Sequence, residues 1–231
     1  MFFTELKPGK SVYERDIQAF KSDVKASKYL YLIGGTHGDE VEGVYVLDQL
    51  FKWLQSDEVQ MDLPIVCLPI LNVDGHEGQT RVNAHGVDLN RNYPTSNWDP
   101  SFEEDKYNPG PEALSEPENQ YLIKLLDKFP PYLVLSFHSW KPTINYNGDS
   151  KDVAEFLSRY NNYSICDDIG YPTPGSFGTF VPEKYGAGVI TFECPLLKEG
   201  KTLKEIWEEN EQGLKAFFSG PRIDELKNFN K

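Results

Sequence analysis

Cysteine is scarce in this 231-residue chain. Cys67, Cys166 and Cys194 are odd in number, far apart and form no Cys-x-x-Cys pair. They offer no disulfide framework, and Cys67 and Cys194, set in apolar runs, read as buried free thiols suited to a reducing cytoplasm. Positive charge is also short: Lys and Arg total 23 against 36 Asp and Glu, a net charge of −13. Such a balance argues against nucleic-acid binding, which depends on neutralising phosphates, and against docking on anionic lipid. No run approaches the ~18 apolar residues of a membrane span. The opening stretch MFFTELKPGK places Glu5, Lys7 and Lys10 where a signal peptide has an unbroken apolar segment, so a cytoplasmic location is expected. Repeats, low-complexity tracts and interdomain linkers are absent too, and a single domain over residues 1–231 is expected. Apolar material is plentiful: 39% of residues are hydrophobic, with 14 Phe, 13 Tyr and 4 Trp. That is enough for a sizeable core and excludes intrinsic disorder.

Short apolar runs alternate with helical patterns. Residues 29–33 (YLYLI), 65–71 (IVCLPIL), 132–137 (YLVLSF) and 189–192 (VITF) read as buried strands. Val41 to Leu54 is apolar at Val41, Val44, Val46, Leu47, Leu50, Phe51 and Leu54, which is helix spacing. Ser115-Glu116-Pro117-Glu118 reads as a capping box opening a second helix, and 202–218 as a C-terminal helix. Residues 94–112, dense in Pro, Asn, Asp and aromatics, read as a long ordered loop. The alternation predicts a three-layer α/β/α domain around a central mixed sheet, with its ligand site at the carboxyl ends of the strands.

Chemistry-bearing residues fall at those ends. The first apolar run is followed by Gly34-Gly35-Thr36-His37-Gly38-Asp39-Glu40. On a helical turn, the three-residue spacing puts the His37 imidazole and the Glu40 carboxylate on one side, within reach of one cation. The third run ends in Ser136-Phe137-His138-Ser139, a second imidazole at the same edge. Two His and one Glu make a three-ligand zinc set that leaves one position open. The fourth run delivers Glu193, a carboxylate that a strand end does not bury without use, placed to act as a general base. A His-x-x-Glu pair alone is commonplace, His138 alone reads as a core histidine, and Glu193 alone as half of a buried ion pair. All four at strand ends favour a metal site.

A second cluster follows the second run: Asn72-Val73-Asp74-Gly75, then Arg81, then Gly86-Val87-Asp88-Leu89-Asn90-Arg91-Asn92-Tyr93. Only five arginines occur against eighteen lysines, and two of them lie here. A guanidinium fork suits a substrate carboxylate or an oxyanion. The structural alternative is that Arg81 and Arg91 pair with Asp74 and Asp88 to hold the loop.

In this order of motifs the chain resembles the zinc carboxypeptidases of the carboxypeptidase A type, from Gly9-Lys10-Ser11-Val12-Tyr13 through to Thr191-Phe192-Glu193. The resemblance implies the phosphorylase/hydrolase-like fold and one zinc per chain on His37, Glu40 and His138. It implies that Arg81 polarises the scissile carbonyl, that Asn90 and Arg91 hold the terminal carboxylate, and that Glu193 is base and then proton donor. Tyr171, ahead of Gly175-Ser176, takes the place of the family's mobile tyrosine, with Tyr185 the weaker candidate, and Phe177 falls where relatives line the specificity pocket. Within the family the chain is similar to the short bacterial murein peptide amidase branch in Gly35-Thr36-His37-Gly38-Asp39-Glu40, Gly86–Asn92, Ser115–Glu118 and Pro174–Gly178. His85 departs from the basic residue expected between Ala84 and Gly86. That branch implies release of meso-diaminopimelate from L-Ala-γ-D-Glu-meso-diaminopimelate, in cell-wall peptide recycling. Two rivals stand beside it: an N-acyl amino acid deacylase of the aspartoacylase or succinylglutamate desuccinylase type, and a binding module without turnover. The second would be expected to lack a ligand or the base, and none is missing here.

Overall fold

Alternation along two buried strands sets the layering. In residues 131–140, Leu133, Leu135 and Phe137 point to one apolar layer and Val134 to the other. In residues 188–195, Ile190, Phe192 and Cys194 join the first layer and Val189 the second. On that second face the sequence turns polar partway along, at Ser136 and His138 on one strand and at Thr191 and Glu193 on the other. Successive side chains alternate between faces, so the switch marks where a packed core gives way to a cleft.

The structure is a computed structural model that describes residues 1–229. In chain order its strands are β1 (Phe3–Glu5), β2 (Gly9–Lys10), β3 (Asp16–Ile17), β4 (Phe20–Ser22), β5 (Tyr29–Ile33), β6 (Ile65–Leu68), β7 (Pro131–Trp140), β8 (Thr143–Asn147), β9 (Ser164–Cys166) and β10 (Gly188–Pro195). Its α-helices are α1 (Val41–Gln55), α2 (Val73–Gly78), α3 (Pro117–Lys128), α4 (Lys151–Asn161), α5 (Phe177–Tyr185), α6 (Leu203–Phe217) and α7 (Pro221–Lys227). Eight strands form one mixed sheet in the order β1-β4-β6-β5-β7-β10-β8-β9. The inner four are parallel, and β4 and β8 join them antiparallel. From β5 the chain goes first to β6 on one side and later to β7 on the other. The strand order therefore reverses between β5 and β7, the place where open α/β sheets form a ligand crevice.

Residues of α1, α4, α6 and α7 pack on one face of the sheet, and those of α3 and α5 on the other. The C-terminal helix opens with a true capping box: Thr202 Oγ1 accepts the Glu205 N–H, and Glu205 Oε2 accepts the Thr202 N–H. The box expected at Ser115 is not formed. Pro117 takes the first helical position of α3, which makes Glu116 the N-cap, with no side-chain cap. The Glu116 and Glu118 carboxylates instead accept Asn83 Nδ2, at 2.6 and 3.1 Å, and Glu116 also meets His85 Nδ1 at 2.8 Å. These bonds brace the 83–86 turn.

Candidate metal centre and active-site cleft

The turn after β5 carries His37 and Glu40, β7 carries His138, and β10 carries Glu193 directly opposite His138 in register. His37 Nδ1 lies 2.7 Å from Glu40 Oε1, and His138 Nδ1 lies 2.8 Å from Glu40 Oε2. The two Nδ1 atoms are 3.2 Å apart. His37 and Glu40 do not share a helical turn, as the spacing suggested. His37-Gly38-Asp39 forms a turn ahead of α1, and Glu40 is the helix N-cap with its carboxylate directed to the histidines rather than to the helix amides. Two glycines permit the approach. A Cβ on Gly38 would lie 2.0 Å from the Gly75 carbonyl carbon, and one on Gly43 would lie 2.8 Å from His138 N. Gly43 N–H donates to Ser139 Oγ, and Ser139 N–H to Glu40 Oε2, so α1 is fastened flat against β7.

The outer contacts decide which ring nitrogen is offered. His37 Nε2 sits 3.1 Å from Asp88 Oδ1, and Asp88 is fully buried. Burial alone would raise the Asp88 carboxyl, but His37 and Arg81 beside it hold it well below the usual carboxylate range. An ionised Asp88 only accepts, so Nε2 carries the hydrogen and Nδ1 presents its lone pair. His138 Nε2 lies 3.0 Å from Ser136 Oγ, a hydroxyl that can accept from it and so leave Nδ1 for the cation. The Nδ1 atoms of His37 and His138 and the Glu40 carboxylate, with ligand atoms all within 4.8 Å of one another, make a donor set that could close around one cation. Imidazole nitrogen and carboxylate oxygen are zinc's donors, so the residues fit the ion. At Glu40 burial raises the carboxyl, and the charge and hydrogen bonds of the two histidines outweigh that and lower it, which leaves an ionised carboxylate for a cation.

Glu193 has the opposite electrostatics. Its Oε2 is buried and finds no hydrogen-bond donor among the described residues. Burial, with the Glu40 charge adding, pushes its carboxyl up to about 7, against the pull of His138 and Arg81.

Arg81 donates Nε and Nη2 to Asp88 Oδ2 at 3.1 and 3.0 Å, and Nη1 to Glu40 Oε1 at 3.3 Å. Arg91 is buried, and among the described residues its guanidinium makes one hydrogen bond, from Nη1 to the Asn90 carbonyl. Asn90 Oδ1 accepts the Phe177 N–H, leaving its Nδ2 without an acceptor among the described residues. These groups, Glu193, Tyr171 and the three ligands line one cleft of about 660 Å³. The structural alternative thus holds for Arg81 with Asp88 and fails for Asp74, whose partners are Arg15, Ser11 and the Tyr13 amide.

Two expected residues lie elsewhere. Phe177 is 5% exposed and packs its ring 5.0 Å from that of Tyr93, because α5 turns its first residue inward. Only its backbone serves the site, and Ser176, Gly178 and Thr179 line the cleft instead. Tyr185 is hydrogen-bonded to Asp127 away from the cleft, whereas Tyr171 stands at the rim near Trp140 and Tyr107. The sequence reading missed Asp88 as the anchor of His37. Its signal was a lone aspartate two residues before Asn90-Arg91, read only as an arginine partner.

The family model for zinc carboxypeptidase matches residues 3–218. Murein peptide amidase A of Vibrio campbellii is 31% identical over 208 residues, covering 85% of this chain and 82% of that protein. Its Escherichia coli counterpart is 30% identical over 198 residues, covering 81% and 79%. Among solved structures, the Escherichia coli murein-tripeptide amidase superposes with a TM-score of 0.74 at 26% identity, covering 94% of this chain and 91% of that one. Carboxypeptidase A from Helicoverpa armigera gives a TM-score of 0.76 at 18% identity over 92% of this chain and 67% of that one, a likeness of fold.

Proposed function

The chain belongs to the zinc carboxypeptidase family and is a peptide hydrolase, and from that premise we propose that it cleaves an amide bond beside a free carboxylate. The substrate class proposed is a murein peptide, with L-Ala-γ-D-Glu-meso-diaminopimelate as the specific case and free meso-diaminopimelate as a product. One observation carries the reading: Arg91, buried and without a carboxylate partner among the described residues, borders the same cleft as Glu193 and the His/Glu/His set.

Zinc held by His37 Nδ1, Glu40 and His138 Nδ1 would supply a Lewis acid that polarises a carbonyl and acidifies water. The chain's own groups do the rest. Arg91 receives the carboxylate as a bidentate fork, assisted by Asn90 Nδ2, and so sets the register of the scissile amide. Arg81 has five N–H donors and commits three of them to Asp88 and Glu40. The two remaining make no hydrogen bond among the described residues and are available to the oxygen that gains charge as the amide is attacked. Glu193, whose Oε2 has no hydrogen-bond donor among the described residues, takes the proton of the attacking water and delivers it to the departing amine nitrogen. Tyr171 at the rim is the group placed to close over bound substrate. The three free thiols support a reducing, cytoplasmic setting.

A panel of murein tripeptide and N-acyl amino acids, read by mass spectrometry, tests the proposal. Release of meso-diaminopimelate from the tripeptide is the expected result. Turnover confined to N-acyl amino acids would replace the reading with a deacylase.

A further inference from the structure

Arg91 poses a problem that the mechanism leaves open. It is 4% exposed, and no carboxylate among the described residues lies at ion-pair distance from it. A buried cation without a counter-charge is costly. A carboxylate partner would relieve the cost, but it would also occupy the fork that the substrate needs.

What faces the guanidinium is a ring. The Tyr107 centroid lies 5.4 Å from Arg91 Cζ and 5.5 Å from Arg81 Cζ. The face of an aromatic ring attracts a cation without using its N–H donors. Tyr107 ends a short 3-10 turn, Asp105–Tyr107, in the long loop before Gly110. The next residue is fixed to the arginine-bearing segment: Asp88 N–H donates to the Asn108 carbonyl at 2.8 Å, and Asn108 Nδ2 to the Gly86 carbonyl at 2.9 Å. The ring therefore has a built position. Beyond it lies a second cavity of about 510 Å³, shared with the cleft through Arg91, Tyr107, Tyr171 and Pro172. Its lining also includes Asp99, Glu103 and Glu104, which are natural partners for a guanidinium that turned that way.

We propose that Tyr107 is a positioning residue: its ring holds the Arg91 guanidinium toward the cleft with its fork unoccupied and keeps it from turning to the acidic residues of the neighbouring cavity that it also borders. This rests on the reading that Arg91 receives the substrate's carboxylate.

The test compares zinc-loaded full-length wild type, Tyr107→Phe and Tyr107→Leu on one peptide with a free carboxylate at the recognised position and on its carboxamide. Tyr107→Phe keeps the ring and is expected to stay close to wild type. Tyr107→Leu is expected to raise KM for the free-carboxylate peptide about tenfold, with kcat changed less than threefold and the carboxamide unaffected. Neutralising Asp99, Glu103 and Glu104 to Asn, Gln and Gln in the Tyr107→Leu background is expected to recover part of the loss. If the leucine variant does not fold, Tyr107→Gln makes the same comparison. A wild type indifferent to amidation overturns the proposed function. A discriminating wild type whose Tyr107→Leu variant discriminates as strongly, or whose Tyr107→Phe variant fails equally, overturns this inference.

Discussion

Replacing Glu193 by Gln separates chemistry from folding in one substitution. The amide keeps the shape of the side chain and cannot accept a proton, so turnover is expected to fall by ~10²–10⁴-fold while zinc content is unchanged. The structure adds a second effect, in the metal-free protein. Burial moves the Glu193 carboxyl from its ordinary 4.5 to about 7, so the native state prefers the neutral form. The stabilisation this gives is complete below pH 4.5, the unfolded-state value, and is lost as pH rises through about 7. At ~1.4 kcal/mol per pH unit the loss amounts to about 3 kcal/mol. The glutamine variant, always neutral, does not lose it. Metal-free Glu193→Gln is therefore expected to melt roughly 5–10 °C above metal-free wild type at pH 8, with the gap closing near pH 4.5. Calorimetry at the two pH values measures this. Equal melting at pH 8 would refute the reasoning, because the ionised carboxylate would then have a partner that compensates its burial.

Four further outcomes follow from named contacts. His138→Ala should remove most of the bound zinc by elemental analysis, and Asp88→Asn should weaken zinc affinity ~10–100-fold, because the amide no longer fixes the His37 tautomer as the carboxylate does. Gly43→Ala, with a Cβ only 2.8 Å from His138 N, should displace α1 from β7, and a variant as stable and as zinc-bound as wild type would contradict the close approach. Arg91→Ala should lower kcat/KM by roughly two to three orders of magnitude, from the ~2–5 kcal/mol of a truncated desolvated charge contact. Amidation of the substrate carboxylate should cost that variant little more. Additive losses would make Arg91 a structural residue.

The parallel core of the sheet was legible because both its faces are buried: residues 29–33 are apolar throughout and β5 has those bounds. β7 and β10 run past their apolar runs to Trp140 and Pro195, since the cleft asks for His138 and Glu193 where the core asks for aliphatics. The short outer strands β1, β4, β8 and β9 carry polar residues on an exposed or cleft-facing side and gave no run to read. The His/Glu/His grouping was legible because His37 and Glu40 lie in the turn after one apolar run and His138 directly follows another. Asp88 and the role proposed for Tyr107 were not, for they depend on contacts with His37 and Arg91 made across the fold. Local patterns also misled. Ser115 to Glu118 has the letters of a capping box, but Pro117 shifts the helix start and both carboxylates are drawn to Asn83, more than thirty residues away. Phe177 stands beside the cleft in sequence, and helical periodicity turns it into the core against Tyr93.

The role proposed for the substrate's free carboxylate has one direct test. The measurement is kcat/KM of the zinc-reconstituted protein on L-Ala-γ-D-Glu-meso-diaminopimelate and on the same tripeptide amidated at the carboxylate beside the scissile bond. A preference for the free acid of roughly a hundredfold or more, abolished by metal removal and restored by zinc, is the predicted result. Equal cleavage of the two peptides, or cleavage that survives removal of the metal, would contradict it.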